Sequence, residues 1–502
     1  MRTVNDLVKG FMSSKWLVVS IILYGVLCRS HEYLINRSLR SDEARYAVKI
    51  TQLSYEALLN PLKETVDHLH IKFNPGPLGF FYFSKFFAGL AGDSEYILRL
   101  VPFISGVLSL FFVYKIAQRY LEPLAVITAL FLFSTLRSLI YRSADFHPYA
   151  SDVLITLLLY LMMDYLKNKE LNKKHIVLFS LLGAVAIFFS FPAIFTLAGL
   201  ATSFIIITFA KEKKPANSIM IIFFFWAISF IFYYLSYLRL FLSTLAWNEG
   251  GMMPILPAWD WLPELAYKTF AIDPMNFLFW YLPAVLYLAG CVSLYLRDKE
   301  KFLYLSLPTL FTFFAAGIRV YPFSGRTILF LMPAFIFFIA EGISLVHRIC
   351  RPKYSLVTMF VLIFLLLQLL KPSVYYLIHP FRNEEIRSVI RQAKKLKQKD
   401  DLLYVHYLSA VSMGYYGKKF GFIETDYLVG NRCRLAKDLD KCLELGSLKE
   451  HSKVWIIYFP DMEGGRRFIG RLNRVGQKLY EYKEPGASLV LYDMQKHMAN
   501  IH

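Results

Sequence analysis

The stretch Ile219-Met220-Ile221-Ile222-Phe223-Phe224-Phe225-Trp226-Ala227-Ile228-Ser229-Phe230-Ile231-Phe232-Tyr233-Tyr234-Leu235 carries no charged residue. It approaches the roughly 20 apolar residues that cross hydrocarbon as a helix. Leu356 to Leu370 is a second such run, and others recur along the 502 residues. Composition agrees: the chain is 56% hydrophobic and 19% charged, against roughly 25% charged in soluble domains. The sequence therefore reads as a polytopic helical membrane protein.

The formal charge of +19 follows the same pattern. Basic residues cluster between apolar runs: Lys211, Lys213 and Lys214; Arg297, Lys299 and Lys301; Arg348, Arg351 and Lys353. Short basic loops of this kind face the cytoplasm and set orientation. No basic stripe with interleaved aromatics occupies a soluble domain, which argues against nucleic-acid binding. Arg2, Lys9 and Lys15 precede Trp16, and the apolar segment continues to about Leu34 without a small-residue cleavage site. The expected first element is an uncleaved helix with its N-terminus inside. Cys28, Cys291 and Cys350 fall in membrane segments without metal-ligand spacing. Cys433 and Cys442 fall in the polar tail; outside the cytoplasm they pair or remain two thiols, and both readings stay open.

From an internal N-terminus, the charge rule gives about eleven spans with every lysine-rich short loop inside. Helix 1 runs outward to about Leu34, and Ile35 to Gly92 lies outside. Within that loop, Phe80 to Leu90 is short for a span and reads as interfacial or partly inserted. Further spans cover about Ile97–Ala117, Pro123–Ile140 and a helix ending at Lys167. Two more turn outside near Phe191-Pro192-Ala193, and another runs outward to about Tyr237. A long outer loop with Trp247, Trp259 and Trp261 follows. Spans to Arg297, Ile318, Arg348 and Leu370 complete the set, the last two separated by the basic patch at Arg348. The expected division is a membrane domain over 1–370 and a small α/β extracytoplasmic domain over 371–502. In the tail, Asn383 to Lys399 reads as a charged amphipathic helix. Leu402 to Leu408, Val454 to Phe459 and Ser488 to Tyr492 read as buried strands. Val429 to Cys442 has no strong pattern.

The chemistry gathers on the expected outer face. Asp42-Glu43 follows the first span, and paired acids beside a bilayer favour a functional reading. The plain alternative is that Asp42 caps a helix running from Glu43 to Asn60. Arg45 and Tyr46 follow directly, and His70, Lys72 and Asn74 precede a proline cluster. The second outer turn supplies Arg142, Asp145, His147, Tyr149 and Asp152, and a later one Arg319, Tyr321 and Arg326. Arginine suits bidentate phosphate binding, and a carboxylate suits a general base. The plain alternatives are that Arg326 snorkels to headgroups, that His147 is an ordinary interfacial histidine, and that Tyr46 and Tyr149 anchor at the interface. Acids from different loops, alone or with His147, could also hold a divalent cation, and the sequence leaves this open.

Four features in order carry a resemblance: Ser41-Asp42-Glu43-Ala44-Arg45-Tyr46-Ala47 after the first span; Asn74-Pro75-Gly76-Pro77-Leu78 about thirty residues on; Asp93-Ser94-Glu95-Tyr96-Ile97-Leu98-Arg99-Leu100 opening the next span; and Arg326-Thr327-Ile328-Leu329-Phe330-Leu331-Met332-Pro333. Over about 1–370 the chain resembles the GT-C membrane glycosyltransferases of the family 39 type, which include protein O-mannosyltransferases and the lipid A aminoarabinose transferase. The resemblance implies transfer of a sugar from a polyprenyl-phosphate donor, beside membrane lipid, to an envelope acceptor of unknown identity. It implies a bacterial inner membrane and a reaction on the extracytoplasmic face.

In such enzymes the first-loop aspartate acts on the acceptor, and Asp42 matches it. Glu43 orients Asp42 or binds sugar hydroxyls. Arg142 and Arg326 are the expected phosphate ligands, with Lys72 third, and a single displacement inverts the sugar carbon. Arg45, Tyr46, Asp145, His147 and Tyr149 complete the expected substrate-binding set. The chain departs from the family at Asn74, where a basic residue usually precedes the prolines; Lys72 or His70 substitutes, or the role is absent. Of the two acids near Arg142, Asp145 is favoured over Asp152. A flippase or transporter of lipid-linked glycans would show inverted repeats and midplane acids, and neither is present. A polymerase or ligase of lipid-linked glycans shares the donor chemistry and is poorly separated.

Overall fold

The computed structural model describes residues 15–60, 65–66, 71–72, 76–213, 216–239, 281–430, 448 and 450–495, with backbone alone for 65–66, 71–72, 351–366 and 368–369. His70, Asn74, Trp247, Trp259, Trp261, Cys433 and Cys442 lie outside the described residues. In chain order the elements are α1 (Lys15–Leu34), α2 (Ser41–Gln52), the antiparallel pair β1 (Thr65–Val66) and β2 (Ile71–Lys72), α3 (Leu78–Ala91), α4 (Glu95–Tyr120), α5 (Pro123–Thr135), α6 (Arg137–Arg142), α7 (Tyr149–Asn168), α8 (Lys173–Phe189), α9 (Ala193–Ala210), α10 (Asn217–Tyr233), α11 (Tyr281–Arg297), α12 (Lys299–Gly317) and α13 (Met332–Ile378). The tail adds α14 (Ile386–Leu396), β3 (Leu402–Val405), α15 (Ala410–Lys419), β4 (Leu428–Val429), β5 (Lys453–Tyr458), α16 (Glu463–Leu472), β6 (Gln477–Glu484) and β7 (Ala487–Asp493).

Six stretches among the described residues are long and apolar enough to cross a bilayer: Lys15–Leu34, Glu95–Tyr120, Tyr149–Asn168, Ala193–Ala210, Asn217–Leu238 and Gly325–Cys350. The chain is a multi-pass membrane protein. Helix α3 has 14 residues, about 21 Å at 1.5 Å per residue, which is too short to cross hydrocarbon alone. Two expectations are corrected. The span expected over Pro123–Ile140 breaks at Leu136, whose backbone is extended (φ −64°, ψ 116°). The spans expected on either side of Arg348 belong to one helical element of 47 residues, α13. The basic patch is built of helix-compatible residues, and Pro352 alone does not interrupt it.

Contacts divide the chain into two compact units. The first comprises residues 1–35, 76–80 and 99–380. Two of its buried charged side chains, Arg29 and Glu341, meet polar groups from other helices. The break at Leu136 frees carbonyls at the end of α5, and buried Arg29 of α1 donates to two of them, Phe133 O at 3.1 Å and Ser134 O at 3.4 Å. Unmet carbonyls in hydrocarbon each cost several kcal/mol, so an arginine there is repair rather than anomaly. Glu341, fully buried on α13, accepts from Ser293 at 2.7 Å and faces Arg348 at 2.9 Å and Arg297 at 3.0 Å. Both arginines also meet Glu122. Helices α11 and α13 cross at Gly290 and Gly342, where a Cβ would come within 1.8 Å of Phe338 O and 2.0 Å of Leu286 O. Small residues permit such backbone contact between membrane helices.

The second unit comprises residues 36–75, 81–98 and 381–502, so the tail shares its unit with parts of the first loop. Its sheet has the order β4-β3-β5-β7-β6. Strands β4, β3 and β5 are parallel, and β7 runs antiparallel to β5 and β6. The three strands expected from sequence are present. Strand β6 escapes a sequence reading because Gln477, Lys478, Glu481, Lys483 and Glu484 make it polar, as befits an edge strand. Ile386, Val389, Ile390 and Ala393 form the buried face of α14. Helix α2 packs on α15, with Ala44, Ala47, Val48 and Ile50 buried. Leu39 N donates to Tyr416 Oη at 2.7 Å, and Gln52 Nε2 to Gly414 O at 3.4 Å.

Candidate active site

The first-loop acids sit on a helix fastened at both ends within the second unit. Helix α2 begins at Ser41, earlier than expected, and ends at Gln52 rather than near Asn60. Leu53 turns extended, and Ser54 Oγ accepts from Ala57 N to start a separate short turn. At the N-terminus, Glu384 Oε2 accepts from Ser41 N at 2.7 Å and Ser41 Oγ at 2.5 Å. Beside it, Glu385 accepts from Ser38 N at 3.2 Å and Ser38 Oγ at 2.8 Å. At the C-terminal end, Lys85 Nζ donates to Ile50 O at 2.7 Å. An anion at the helix start and a cation at its end both complement the macrodipole.

Glu384 holds φ 59°, a left-handed conformation uncommon for a side-chain-bearing residue. The β6–β7 turn fixes it there. Glu385 N donates to Pro485 O at 2.9 Å. Gly486, at φ 71°, approaches so closely that a Cβ would fall 2.2 Å from Asn383 Oδ1.

Within α2 the two acids differ. Asp42 is half-buried, and its Oδ1 accepts from Glu43 N at 3.1 Å; the residue at the N-cap is Arg40, so Asp42 lies within the first turn and does not cap the helix. Glu43 is fully buried and accepts from Arg40 N at 3.1 Å. Arg45 is half-buried, and Tyr46 meets Phe81 edge-on at 4.9 Å. Lys72 lies in β2, opposite Thr65.

Sequence reasoning missed Lys49, seven residues past Asp42 and hence two turns along one face. It is fully buried with Nζ 3.9 Å from the Phe81 ring centroid, and burial pushes its pKa down to about 7. Glu384 and Glu385 were also missed; an acidic pair opening a basic helix was the one signal they gave.

The first unit holds the other expected set. Arg142 pairs with buried Asp145, whose other oxygen lies 3.4 Å from His147 Nδ1. His147 N also donates to Asp145 O at 2.6 Å, which fixes the turn. The His147 ring stacks on Tyr149 at 5.3 Å. Arg142 and Arg326 both approach the Tyr149 ring, at 5.5 and 5.6 Å. The structure thus gathers Arg142, Asp145, His147, Tyr149 and Arg326 around one aromatic ring. Asp152 is buried in the first turn of α7 and Arg319 is exposed, while Tyr321 Oη donates to Thr327 O at 2.8 Å. Two cations over a tyrosine face, one balanced by a carboxylate, make an anion-receptive surface. Among the described residues, no group of three or more His, Cys, Asp or Glu is placed to hold a metal ion.

This arrangement of helices with a terminal α/β unit is the fold of the GT-C membrane glycosyltransferases. Among solved structures, the chain is similar to ArnT from Cupriavidus metallidurans in the apo state, with TM-score 0.54 and 12% identity over 94% of this chain and 97% of that one. The same protein bound to undecaprenyl phosphate gives TM-score 0.53 and 11% identity over the same shares. The oligosaccharyltransferase AglB from Archaeoglobus fulgidus, in complex with an inhibitory peptide and a dolichol-phosphate, gives TM-score 0.50 and 10% identity over 96% of this chain and 75% of that one. Residues 75–235 match the family model described as dolichyl-phosphate-mannose-protein mannosyltransferase. No curated protein matches the chain.

Proposed function

We propose that this protein is a membrane glycosyltransferase that moves a sugar from a polyprenyl-phosphate donor to an envelope acceptor on the extracytoplasmic face of a bacterial inner membrane. The fold likeness supports the class. The mannosyltransferase model match, with the undecaprenyl phosphate and dolichol-phosphate in the related structures, supports the donor chemistry.

The observation that carries the residue roles is the unequal environment of the acid pair. Asp42 is half-buried at a fastened helix start, whereas Glu43 is fully buried and bonded to Arg40 N. Asp42 is the general base, and Glu43 holds its turn. The acceptor hydroxyl gives its proton to Asp42 as its oxygen bonds to the anomeric carbon. The carbon–oxygen bond to phosphate breaks with its electron pair on the phosphate oxygen. Arg142 and Arg326 stabilise that developing charge, and Tyr149 orients both guanidinium groups. Attack opposite the departing phosphate inverts the anomeric carbon.

Asp42→Asn keeps the size and loses the base. The expected outcome is loss of one sugar from the envelope glycans by mass spectrometry, at unchanged protein level. Wild-type glycans in that variant would rule Asp42 out as base. Loss of polymer rather than of one residue would instead favour a polymerase.

A further inference from the structure

The sheet of the second unit contains a topological switch point. From β3 the chain passes through α15 to β4, its parallel neighbour on one side. From β5, the parallel neighbour on the other side, it passes through α16 to β6. Both β5 and β6 are antiparallel to β7, so β6 runs parallel to β5. The two crossovers leave the β3–β5 boundary in opposite directions. Right-handed connections then put α15 and α16 on opposite faces, with their N-termini flanking the carboxyl ends of β3 and β5. Open α/β sheets bind ligands in the crevice at such a point.

Side chains at this position point independently to a ligand. His406 Nδ1, Ser409 Oγ and Ser412 Oγ are all buried, and none has a hydrogen-bond partner among the described residues. All three lie in the turn after β3 or the first turn of α15. Buried polar groups are otherwise almost always bonded, so three in one turn call for a partner. His406 faces the opposite helix start: a Cβ on Gly464 would lie 3.6 Å from His406 Cε1 and 3.0 Å from Tyr407 Oη. Neither α15 nor α16 has a side-chain cap at its start. Gly465 lets α16 begin hard against β5, since a Cβ there would meet Phe459 O at 2.2 Å. Arg466 and Arg467 stand exposed on the first turn of α16, with Arg467 paired to Glu463. Asp461 is exposed just before it.

We infer that the β3–β5 crevice is a binding site for a sugar phosphate. The phosphate lies between the two helix starts, where their dipoles, Arg466 and the hydroxyls of Ser409 and Ser412 suit an anion. His406 donates or accepts one hydrogen bond at the crevice floor, and Asp461 accepts from sugar hydroxyls. The site lies entirely within the tail and stands apart from the transferase reading.

The test is calorimetric titration of glucose 1-phosphate, inorganic phosphate and glucose into the purified full chain in detergent. Saturable binding of glucose 1-phosphate, tighter than inorganic phosphate and absent for glucose, is expected. Gly464→Val fills the crevice and His406→Phe removes its polar edge; each is expected to weaken binding about tenfold or more, the loss of one charge-assisted or buried hydrogen bond. Arg466→Ala changes an exposed residue and weakens binding without risk to the core. The double variant Arg142→Ala, Arg326→Ala is expected to bind as the wild type does. Repeating the titration in phosphatidylcholine nanodiscs with and without phosphatidylinositol identifies the source. Competition by the lipid marks a lipid-borne headgroup, and none marks a free sugar phosphate; either supports the shared chemistry. No saturable binding, equal binding in all three tail variants, or loss confined to the Arg142–Arg326 variant would overturn the site.

Discussion

Glu384→Ala tests whether the tail holds the acid-bearing helix in place. The Glu384 carboxylate accepts two hydrogen bonds from Ser41, at 2.7 and 2.5 Å. A bond to a charged partner contributes about 1.5–3 kcal/mol, and the two share one carboxylate, so about 3 kcal/mol is a fair total. Arg40 Nε at 3.5 Å from Oε1 adds little. Alanine keeps the strain of φ 59° at this position, so nothing offsets the loss. Glycine loses the same bonds but relieves about 1 kcal/mol of strain, for a net cost of about 2 kcal/mol. At 1.4 kcal/mol per factor of ten, the alanine variant opens α2 about a hundredfold more often, and the glycine variant about thirtyfold. Hydrogen–deuterium exchange of the full chain reads this directly in peptides covering Ser41–Gln52, with β5 and β7 peptides as internal reference. Unchanged exchange in α2 would refute the argument. So would faster exchange in Glu384→Gly than in Glu384→Ala, because it would mean that backbone strain is not what separates them.

Lys49→Met should remove a pH dependence. Burial lowers the folded-state pKa to about 7, while the unfolded lysine titrates near 10.4. Between those values the unfolded state holds the extra proton, so wild-type stability rises with pH, by at most about 1.4 kcal/mol per unit, and is flat below about pH 7. Denaturant titrations from about pH 7 to about pH 9 should show that slope in the wild type and a flatter line in the methionine variant; equal slopes would contradict it. Gly290→Val should force α11 and α13 apart and cost about 3 kcal/mol or more. Gly89→Ala meets nothing within 4 Å and should be neutral or slightly stabilising. Melting of the two variants in detergent at the same temperature would argue against the close crossing.

The membrane character was legible because hydrocarbon tolerates few sequences, and charge-free runs such as Ile219–Leu235 have few other uses. Arg142, Asp145, His147, Tyr149 and Arg326 each stood out in the sequence, but their grouping around one ring did not. Arg142, Asp145, His147 and Tyr149 lie within eight residues, and their convergence followed from one turn. Arg326, far away in sequence, joins them through the Tyr149 ring. Three features were not legible for the same reason: each depends on a partner distant in the chain. Leu136 interrupts a helix only because Arg29 is there to meet the freed carbonyls. Lys49 looks like a surface lysine until Phe81 covers it. Glu384 and Glu385 look like ordinary tail charges until Ser38 and Ser41 bond them. The continuous α13 was hidden because a basic patch with a proline reads as a loop.

The bond between Ser41 and Glu384 also sets an order of events during synthesis. Its two partners are 343 residues apart. At roughly 5–20 residues per second, α2 leaves the ribosome about 20–70 s before the carboxylate that caps it exists. The turn around Gly486 that fixes Glu384 arrives later still. Throughout that interval the membrane helices can insert while Asp42 sits on an unfastened helix. A chain cut short before the tail would therefore reach the membrane with its first-loop acids on an unfastened helix, and α2 would be secured only once the last strands are made.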